Sequence, residues 1–291
     1  EVVQRPASVV KELVENAIDA GATTIKVICQ DSGRTSIQVV DDGCGMSETD
    51  ARMAFERHAT SKINDARDLF NIRTMGFRGE ALPSIASVAL VELSTRRKED
   101  ELGIKLEIAA SNFNRQEVVA TPVGSNFVVK NLFFNIPARR RFLKSDKAEM
   151  NHITTEFLRI ALAHPDITLS LSNNDVAHHM FPAGNIMQRV SAVAGRALSK
   201  ELLPIEVETS LVKITGFIGT PKTAKKSGGD QYFFANDRFM KHPYFHRAVT
   251  DAYKNLVPSD VSPAYYIYFY VDTQSLDVNI HPQKTEIKFE Q

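Results

Sequence analysis

The segment from Pro6 to Gly21 constrains the fold more than any other stretch of the chain. Laid out at about 100° per residue, Val10, Leu13, Val14, Ala17 and Ile18 fill one arc, and Glu12, Glu15, Asn16 and Asp19 fill the opposite one. The two sets do not mix. That predicts an amphipathic helix opened near Pro6 and Ser8 and closed by Gly21. Its apolar face must pack on another layer. Its other face lines up three carboxylates and an amide with almost no cation to balance them. Like charges three and four residues apart repel by a few tenths of a kcal/mol per pair. A solvated face is the usual explanation of such a stripe. A ligand-facing wall is the sharper one, because Glu12 and Asn16 lie one turn apart and their tips can meet. A carboxylate there can polarise a water. A side-chain amide oxygen there can bind Mg²⁺, which keeps several of its waters.

The rest of the chain mixes strands and helices. Strands are predicted over 24–29, 36–40, 91–95, 104–109, 126–130 and 167–172, and then over 212–219, 231–235, 265–271 and 286–289. Helices are predicted over 48–56, 80–88, 150–163, 187–198 and 244–255, and one can begin at Pro137. Pro182-Ala183-Gly184-Asn185 is the best boundary signal. With 291 residues and roughly 100–200 residues per domain, two domains follow, 1–185 and 186–291. Both halves read as α/β or α+β.

Composition excludes several classes. Lys and Arg number 35, as do Asp and Glu, so no global field attracts nucleic acid and any such surface must be local. Cys29 and Cys44 have no ligand spacing, which fits a reducing compartment and argues against a zinc site. No apolar run reaches the ~18 residues of a membrane span, and there is no signal peptide. The chain begins at Glu1 and ends inside a predicted strand, so it reads as part of a longer protein.

Three further pieces carry chemistry. Asp41-Asp42-Gly43-Cys44-Gly45 puts a carboxylate at a strand end, followed by glycines that let backbone come close to a ligand. A buried carboxylate accepting from an exocyclic amine would read adenine, at about 1.5–3 kcal/mol. A plain Asp-Gly turn is the equal alternative. Gly76-Phe77-Arg78-Gly79 precedes a predicted helix and can offer N–H groups to phosphate, or simply cap that helix. Arg57-His58-Ala59-Thr60-Ser61-Lys62 adds cations and hydroxyls in a loop. Neither a Walker A loop nor GxGxxG occurs.

Taken together, these pieces resemble the ATPase family of gyrase-type topoisomerases, heat-shock chaperones, sensor histidine kinases and MutL. The resemblance is closest to the MutL-type mismatch repair proteins. It is carried by QRPASVVKELVENAIDAGA (residues 4–22), RHATSKI (57–63), GFRGEAL (76–82), FNIPARRRFL (134–143) and NIHPQKTE (279–286), in order along essentially the whole chain. It implies a two-layer α/β sandwich ATPase domain followed by a domain like the second domain of ribosomal protein S5. It implies that Glu12 is the general base and that Asn16 is the Mg²⁺ ligand bridging to the triphosphate. Asp41 would read adenine, with Gly45 and Ser125 in the same pocket. Thr60, Ser61 and Lys62 would border that pocket. Gly76, Phe77, Arg78 and Gly79 would form the lid over the phosphates, and Lys284 would reach the γ-phosphate.

The resemblance further implies slow, Mg²⁺-dependent ATP hydrolysis, ATP-driven homodimerisation and DNA binding without sequence preference. The implied partners are a MutS-type mismatch-recognition protein and a downstream endonuclease or helicase. The compartment would be the bacterial cytoplasm near the nucleoid, or a eukaryotic nucleus. Arg139, Arg140, Lys225, Lys226 and Arg238 are the candidate DNA contacts, each with a solvated-surface alternative. Nuclease activity is not expected of this stretch. A gyrase-like topoisomerase ATPase and a DNA-binding scaffold with a silent nucleotide site are the alternatives. Two departures stand out. Asn236-Asp237-Arg238 replaces the family's frequent Asn-Gly-Arg, and Gly124-Ser125 replaces Gly-Thr.

Overall fold

Helix α1 (Pro6–Asp19) opens the fold in the computed structural model, which describes residues 3–56, 80–272, 276–277 and 288–289. Pro6 suits the first turn, where an N–H would have no helical acceptor. Past Asp19 the chain turns through Gly21 at φ +74°. There the Ala20 and Gly21 amides donate back to the Asn16 and Ile18 carbonyls at 3.0 and 2.9 Å, satisfying acceptors that the helix leaves open. The apolar arc is buried as its pattern demands. The acidic arc is covered too, with Glu12 and Glu15 each only 7% exposed. A solvated face therefore does not explain those two carboxylates.

Strands β1 (Thr24–Gln30) and β2 (Ser36–Asp41) follow, then α2 (Glu48–Met53), α3 (Ala81–Val88), β3 (Leu90–Arg96), β4 (Gly103–Ala109), β5 (Asn112–Val119) and β6 (Gly124–Lys130). Next come α4 (Pro137–Arg141), α5 (Asp146–Ala163), β7 (Thr168–Asn173) and β8 (Val176–Phe181). One eight-stranded sheet results, in the order β5-β4-β3-β6-β2-β1-β7-β8. Only β1 and β7 pair in parallel. Alternate residues point to one buried face: Ile25, Val27, Ile37, Val39, Val91, Leu93, Phe127 and Val129. The helices cover that face, giving two layers.

The chain divides into two compact units, 1–158 with 166–183, and 159–165 with 184–291. The second contains α6 (Ile186–Ser199), β9 (Leu202–Glu208), β10 (Val212–Gly219), β11 (Gln231–Ala235), β12 (Arg238–Met240), α7 (Pro243–Ala252) and β13 (Tyr265–Val271). Its sheet order is β12-β11-β13-β10-β9. Short strands β14 (Leu276–Asp277) and β15 (Lys288–Phe289) pair separately. Strand β13 is apolar at nearly every position because both of its faces are covered. Tyr266 and Tyr268 join Phe234, Val190 and Leu162, while Tyr265 and Ile267 join Phe233 and Met240, with Phe245 and Val249 packed beside them. Helix α6 breaks at Gly195 (φ +80°), so the single helix expected there is two pieces.

Arg189 is a buried cation within the second unit. Its guanidinium donates to the carbonyls of Ala161, His164 and Pro165 at 2.6, 3.0 and 3.1 Å. The Tyr268 hydroxyl donates to Leu162 at 2.8 Å. The last carbonyls of α5 thus have partners, and a cation sits at the negative end of that helix. Among the described residues no helix is long and apolar enough to cross a membrane.

Candidate functional site

Three buried polar residues form a row across the middle of the first sheet. Asp41 at the end of β2 pairs with Ser125 in β6, and Ser125 pairs with Thr95 in β3. The amides of Gly43 and Ser125 both donate to Asp41 Oδ1, at 2.8 and 3.3 Å. Thr95 Oγ1 accepts from the Met46 amide and donates to the Gly124 carbonyl, each at 3.0 Å. Its single proton is then committed, so Ser125 Oγ, also 3.0 Å away, is the donor between the two hydroxyls.

Asp41 and Asp42 have opposite environments. Burial pushes the Asp41 carboxyl up to about 6, against the pull of the Gly43 and Ser125 amides. Its Oδ2 accepts no hydrogen bond among the described residues. Asp42 is tied down. It accepts from the Thr23 and Thr24 amides at 2.8 and 2.9 Å and from the Thr23 hydroxyl at 2.5 Å. Burial would raise the Asp42 carboxyl, but these bonds outweigh it and hold the group below its ordinary value. One carboxylate builds the loop, and its neighbour keeps an oxygen open.

The glycines of this loop have a different use from the one the sequence suggests. A Cβ on Gly45, at φ +66°, would stand 2.0 Å from the Arg96 carbonyl oxygen. One on Gly124, at φ +114°, would stand 2.1 Å from the Asp41 carbonyl oxygen, and one on Gly43 would meet the Ala20 carbonyl oxygen at 2.8 Å. What approaches these glycines is the protein's own backbone. The Cys44 amide also donates to the Ala20 carbonyl at 2.9 Å, pinning the loop to the end of α1. The helix that carries Glu12 and Asn16 and the loop that begins at Asp41 are therefore one construction.

Glu12 and Asn16 lie one turn apart on α1, Glu12 buried and Asn16 half-buried. Among the described residues no cluster of three or more His, Cys, Asp or Glu could hold a metal. A Mg²⁺ ion that keeps its waters and binds phosphate needs only one or two protein oxygens, and the half-buried Asn16 amide suits that role. The open Oδ2 of Asp41 likewise suits a ligand that donates a hydrogen bond, as adenine's amine does. Thr60, Ser61, Lys62, Gly76, Phe77, Arg78, Gly79 and Lys284 lie outside the described residues.

The basic candidates fall in both units. Arg139 lies over the Phe133 ring at 5.2 Å, and Arg140 is exposed. Lys225 faces Asp230 at 3.6 Å, and Lys226 faces Asp260 at 2.8 Å, so each has an acidic neighbour. Arg238 opens β12 opposite Ala235. Before it, Asn236 and Asp237 turn at φ +44° and +65°, so the left-handed turn forms without a glycine. Thr95 was the residue missing from the sequence reading. Its signal was present: Val91, Leu93 and Thr95 share the inward face of β3, and a polar group there needs partners.

Comparison with known proteins bears on the family and the fold. Residues 4–132 match the model of the histidine kinase-, DNA gyrase B-, and HSP90-like ATPase family, and residues 190–291 match the DNA mismatch repair protein, C-terminal domain. The DNA mismatch repair protein MutL of Bacteroides fragilis is 59% identical over 290 residues, covering 100% of this chain and 46% of that protein. That of Phocaeicola vulgatus is 58% identical, covering 100% and 47%. The chain thus spans about half the length of these relatives. Among solved structures, the N-terminal domain of a DNA repair protein superposes with a TM-score of 0.84 at 23% identity, covering 99% of this chain and 90% of that one. The Aquifex aeolicus MutL ATPase domain complexed with ADP gives 0.70 at 24% identity, covering 93% of each.

Proposed function

The chain belongs to the MutL family of DNA mismatch repair proteins, and on that premise we propose that its first unit binds and hydrolyses ATP. The observation that carries this reading is Asp41, a buried carboxylate with Oδ1 held by two backbone amides and Oδ2 without a partner among the described residues. Oδ2 accepts from the exocyclic amine of adenine, a contact of about 1.5–3 kcal/mol when the carboxylate is ionised. Ser125 and Thr95 hold the strand ends around it. Glu12 takes the proton of the attacking water. Asn16 lends its amide oxygen to Mg²⁺, which when bound offsets charge on the phosphates. The fold likeness to an ADP-bound domain supports nucleotide as the ligand.

The remaining roles rest on the family resemblance. Gly76, Phe77, Arg78 and Gly79 close over the phosphates, Thr60, Ser61 and Lys62 border the nucleotide pocket, and Lys284 approaches the γ-phosphate. Binding of ATP pairs two N-terminal halves, and slow hydrolysis releases them. Residues 1–185 serve as the ATPase domain and 186–291 as the transducer. Arg139, Arg140, Lys225, Lys226 and Arg238 contact DNA phosphates without reading sequence, so affinity falls steeply with salt. This cycle couples a MutS-type mismatch-recognition protein to a downstream endonuclease or helicase in the bacterial cytoplasm.

Titration calorimetry of a non-hydrolysable ATP analogue, with and without Mg²⁺, tests the reading. Binding that needs Mg²⁺ and is lost in Asn16→Ala is the expected result. A folded wild-type chain that takes up no analogue would overturn it.

A further inference from the structure

The ladder between β1 and β2 ends at the pair Ile25–Asp41, yet the two chains stay joined beyond it. The Asp42 side chain continues the pairing in place of backbone. Its Oδ1 accepts from the Thr24 and Thr23 amides at 2.9 and 2.8 Å, and its Oδ2 accepts from the Thr23 hydroxyl at 2.5 Å. Two residues on, the Cys44 amide donates to the Ala20 carbonyl at 2.9 Å. The Ala20 amide in turn donates to the Asn16 carbonyl at 3.0 Å. Two hydrogen bonds in series thus run from the loop to Asn16. The space between is filled, because a Cβ on Gly43 would stand 2.8 Å from the Ala20 carbonyl oxygen. Asp42 and Thr23 are both exposed. Water competes for an exposed carboxylate, so much of the strength of its three bonds is offset. Their geometry is not offset, and it fixes where the loop lies against the end of α1.

We propose that Asp42 is a positioning residue of the nucleotide site, whose carboxylate latches the Asp41 loop to the turn after α1 and so sets the distance from Asp41 to Asn16. This role rests on the reading that Asp41 takes the base of ATP and Asn16 its Mg²⁺-phosphate end, and it adds what holds those two ends in register. Asp42 acts through the backbone and need not touch the ligand. A ligand that spans both ends binds more tightly than its pieces only while their separation matches its length. Adenosine alone needs Asp41, and Mg²⁺-tripolyphosphate alone needs Asn16. Neither piece senses the separation. The latch also dictates which substitutions it tolerates. In Asp42→Asn the amide oxygen still accepts from both backbone amides, and the amide nitrogen donates to the Thr23 hydroxyl oxygen, so the spacing is kept. In Asp42→Ala all three bonds are lost.

A non-hydrolysable ATP analogue is compared with its two pieces, adenosine and Mg²⁺-tripolyphosphate, on chains whose folding is checked by circular dichroism. Asp42→Ala should bind the analogue with Mg²⁺ about tenfold more weakly, while its affinity for each piece, read by NMR titration, stays within about twofold of wild type. Asp42→Asn should match wild type for all three ligands. Thr23→Val loses only the bond to Oδ2. It should weaken the analogue by less than Asp42→Ala does and keep both pieces, and Thr23→Ser should restore the analogue. A chain that is merely destabilised would lose adenosine in the same proportion as the analogue. That result would overturn the positioning role and leave ATP as the ligand. So would an unchanged analogue affinity in Asp42→Ala. So would an Asp42→Asn as weak as Asp42→Ala, which would assign the effect to charge. If Asp42→Ala does not fold, Thr23→Val against Thr23→Ser carries the same contrast, and equal affinities in those two would overturn the latch. A folded wild-type chain that takes up neither the analogue nor either piece would overturn the positioning role together with the ATP reading.

Discussion

Thr95 Oγ1 lies 3.0 Å from Ser125 Oγ and ties β3 to β6, the neighbour of the strand that ends at Asp41. The same oxygen holds the Met46 amide and the Gly124 carbonyl. Thr95→Val keeps the shape and removes the hydroxyl, leaving both backbone groups without their partner. An unsatisfied buried group costs about 1–3 kcal/mol. Urea unfolding should show about 2 kcal/mol lost, and calorimetry should show weaker binding of the ATP analogue. Thr95→Ser should restore both. If Thr95→Val matches wild type in both, the hydroxyl does not organise the site.

The raised carboxyl of Asp41 gives a pH dependence with a definite sign. The ordinary value is 3.8, and burial pushes the folded group up to about 6. Between the two, the folded chain holds a proton that the unfolded chain has released. Stability from this group is therefore greatest at low pH. It falls by about 3 kcal/mol as pH rises through that window, and stays lost above it. Asp41→Asn should be more stable than wild type at pH 7.5 and nearly equal at pH 4. Ligand binding runs the other way, because the ionised oxygen is the better acceptor. Affinity for the analogue should be about tenfold weaker at pH 5 than at pH 7.5, and weak at both in Asp41→Asn. A flat wild-type affinity across that range would remove the ionised carboxylate from recognition.

Glu12 is covered yet sits on the face opposite the apolar arc of α1. As a general base it matters to turnover and not to ground-state binding. Glu12→Ala should bind the analogue as wild type does, while phosphate release slows by about 10²–10⁴-fold. Normal turnover in the variant would place the base elsewhere.

The middle of each sheet was legible in the sequence, and the edges were not. Strands β5 and β8 bound the first sheet and β9 and β12 the second, and none of the four was foreseen. An edge strand has one neighbour and less to bury, so alternation fades. Strand β5 reads NFNRQEVV with most positions exposed, and β9 is equally open. Central β13 shows seven consecutive residues of strand character because both of its faces pack. At the site, the acidic arc of α1 and the carboxylate of Asp41 were visible as residue types in a pattern. The contacts of Gly43 and Gly45 with Ala20 and Arg96 were not. They join segments far apart in sequence, and no local rule encodes which backbone a glycine will meet.

At the turn where Asp237 (φ +65°) stands in place of the family's glycine, the preceding Asn236 anchors the backbone. Asn236 adopts φ +44°, a conformation that costs most residues about 1–2 kcal/mol but suits Asn. Its side chain then acts as a further peptide group. It donates to the Val271 carbonyl at 2.8 Å and accepts from the Val271 amide at 3.0 Å. Its own amide donates to the Phe269 carbonyl at 2.9 Å. The pairing of β11 with β13 is thereby carried past Ala235. Asn236→Ala removes two hydrogen bonds and adds backbone strain, a loss of about 3 kcal/mol. Asn236→Gly removes the bonds alone and should lose less. The readout is specific, because all seven tyrosines lie between residues 232 and 270 and no tryptophan masks them. Tyrosine fluorescence during urea unfolding therefore follows the second unit. An unshifted midpoint in Asn236→Ala would mean that the side-chain bridge to Val271 contributes nothing to holding the two strands together.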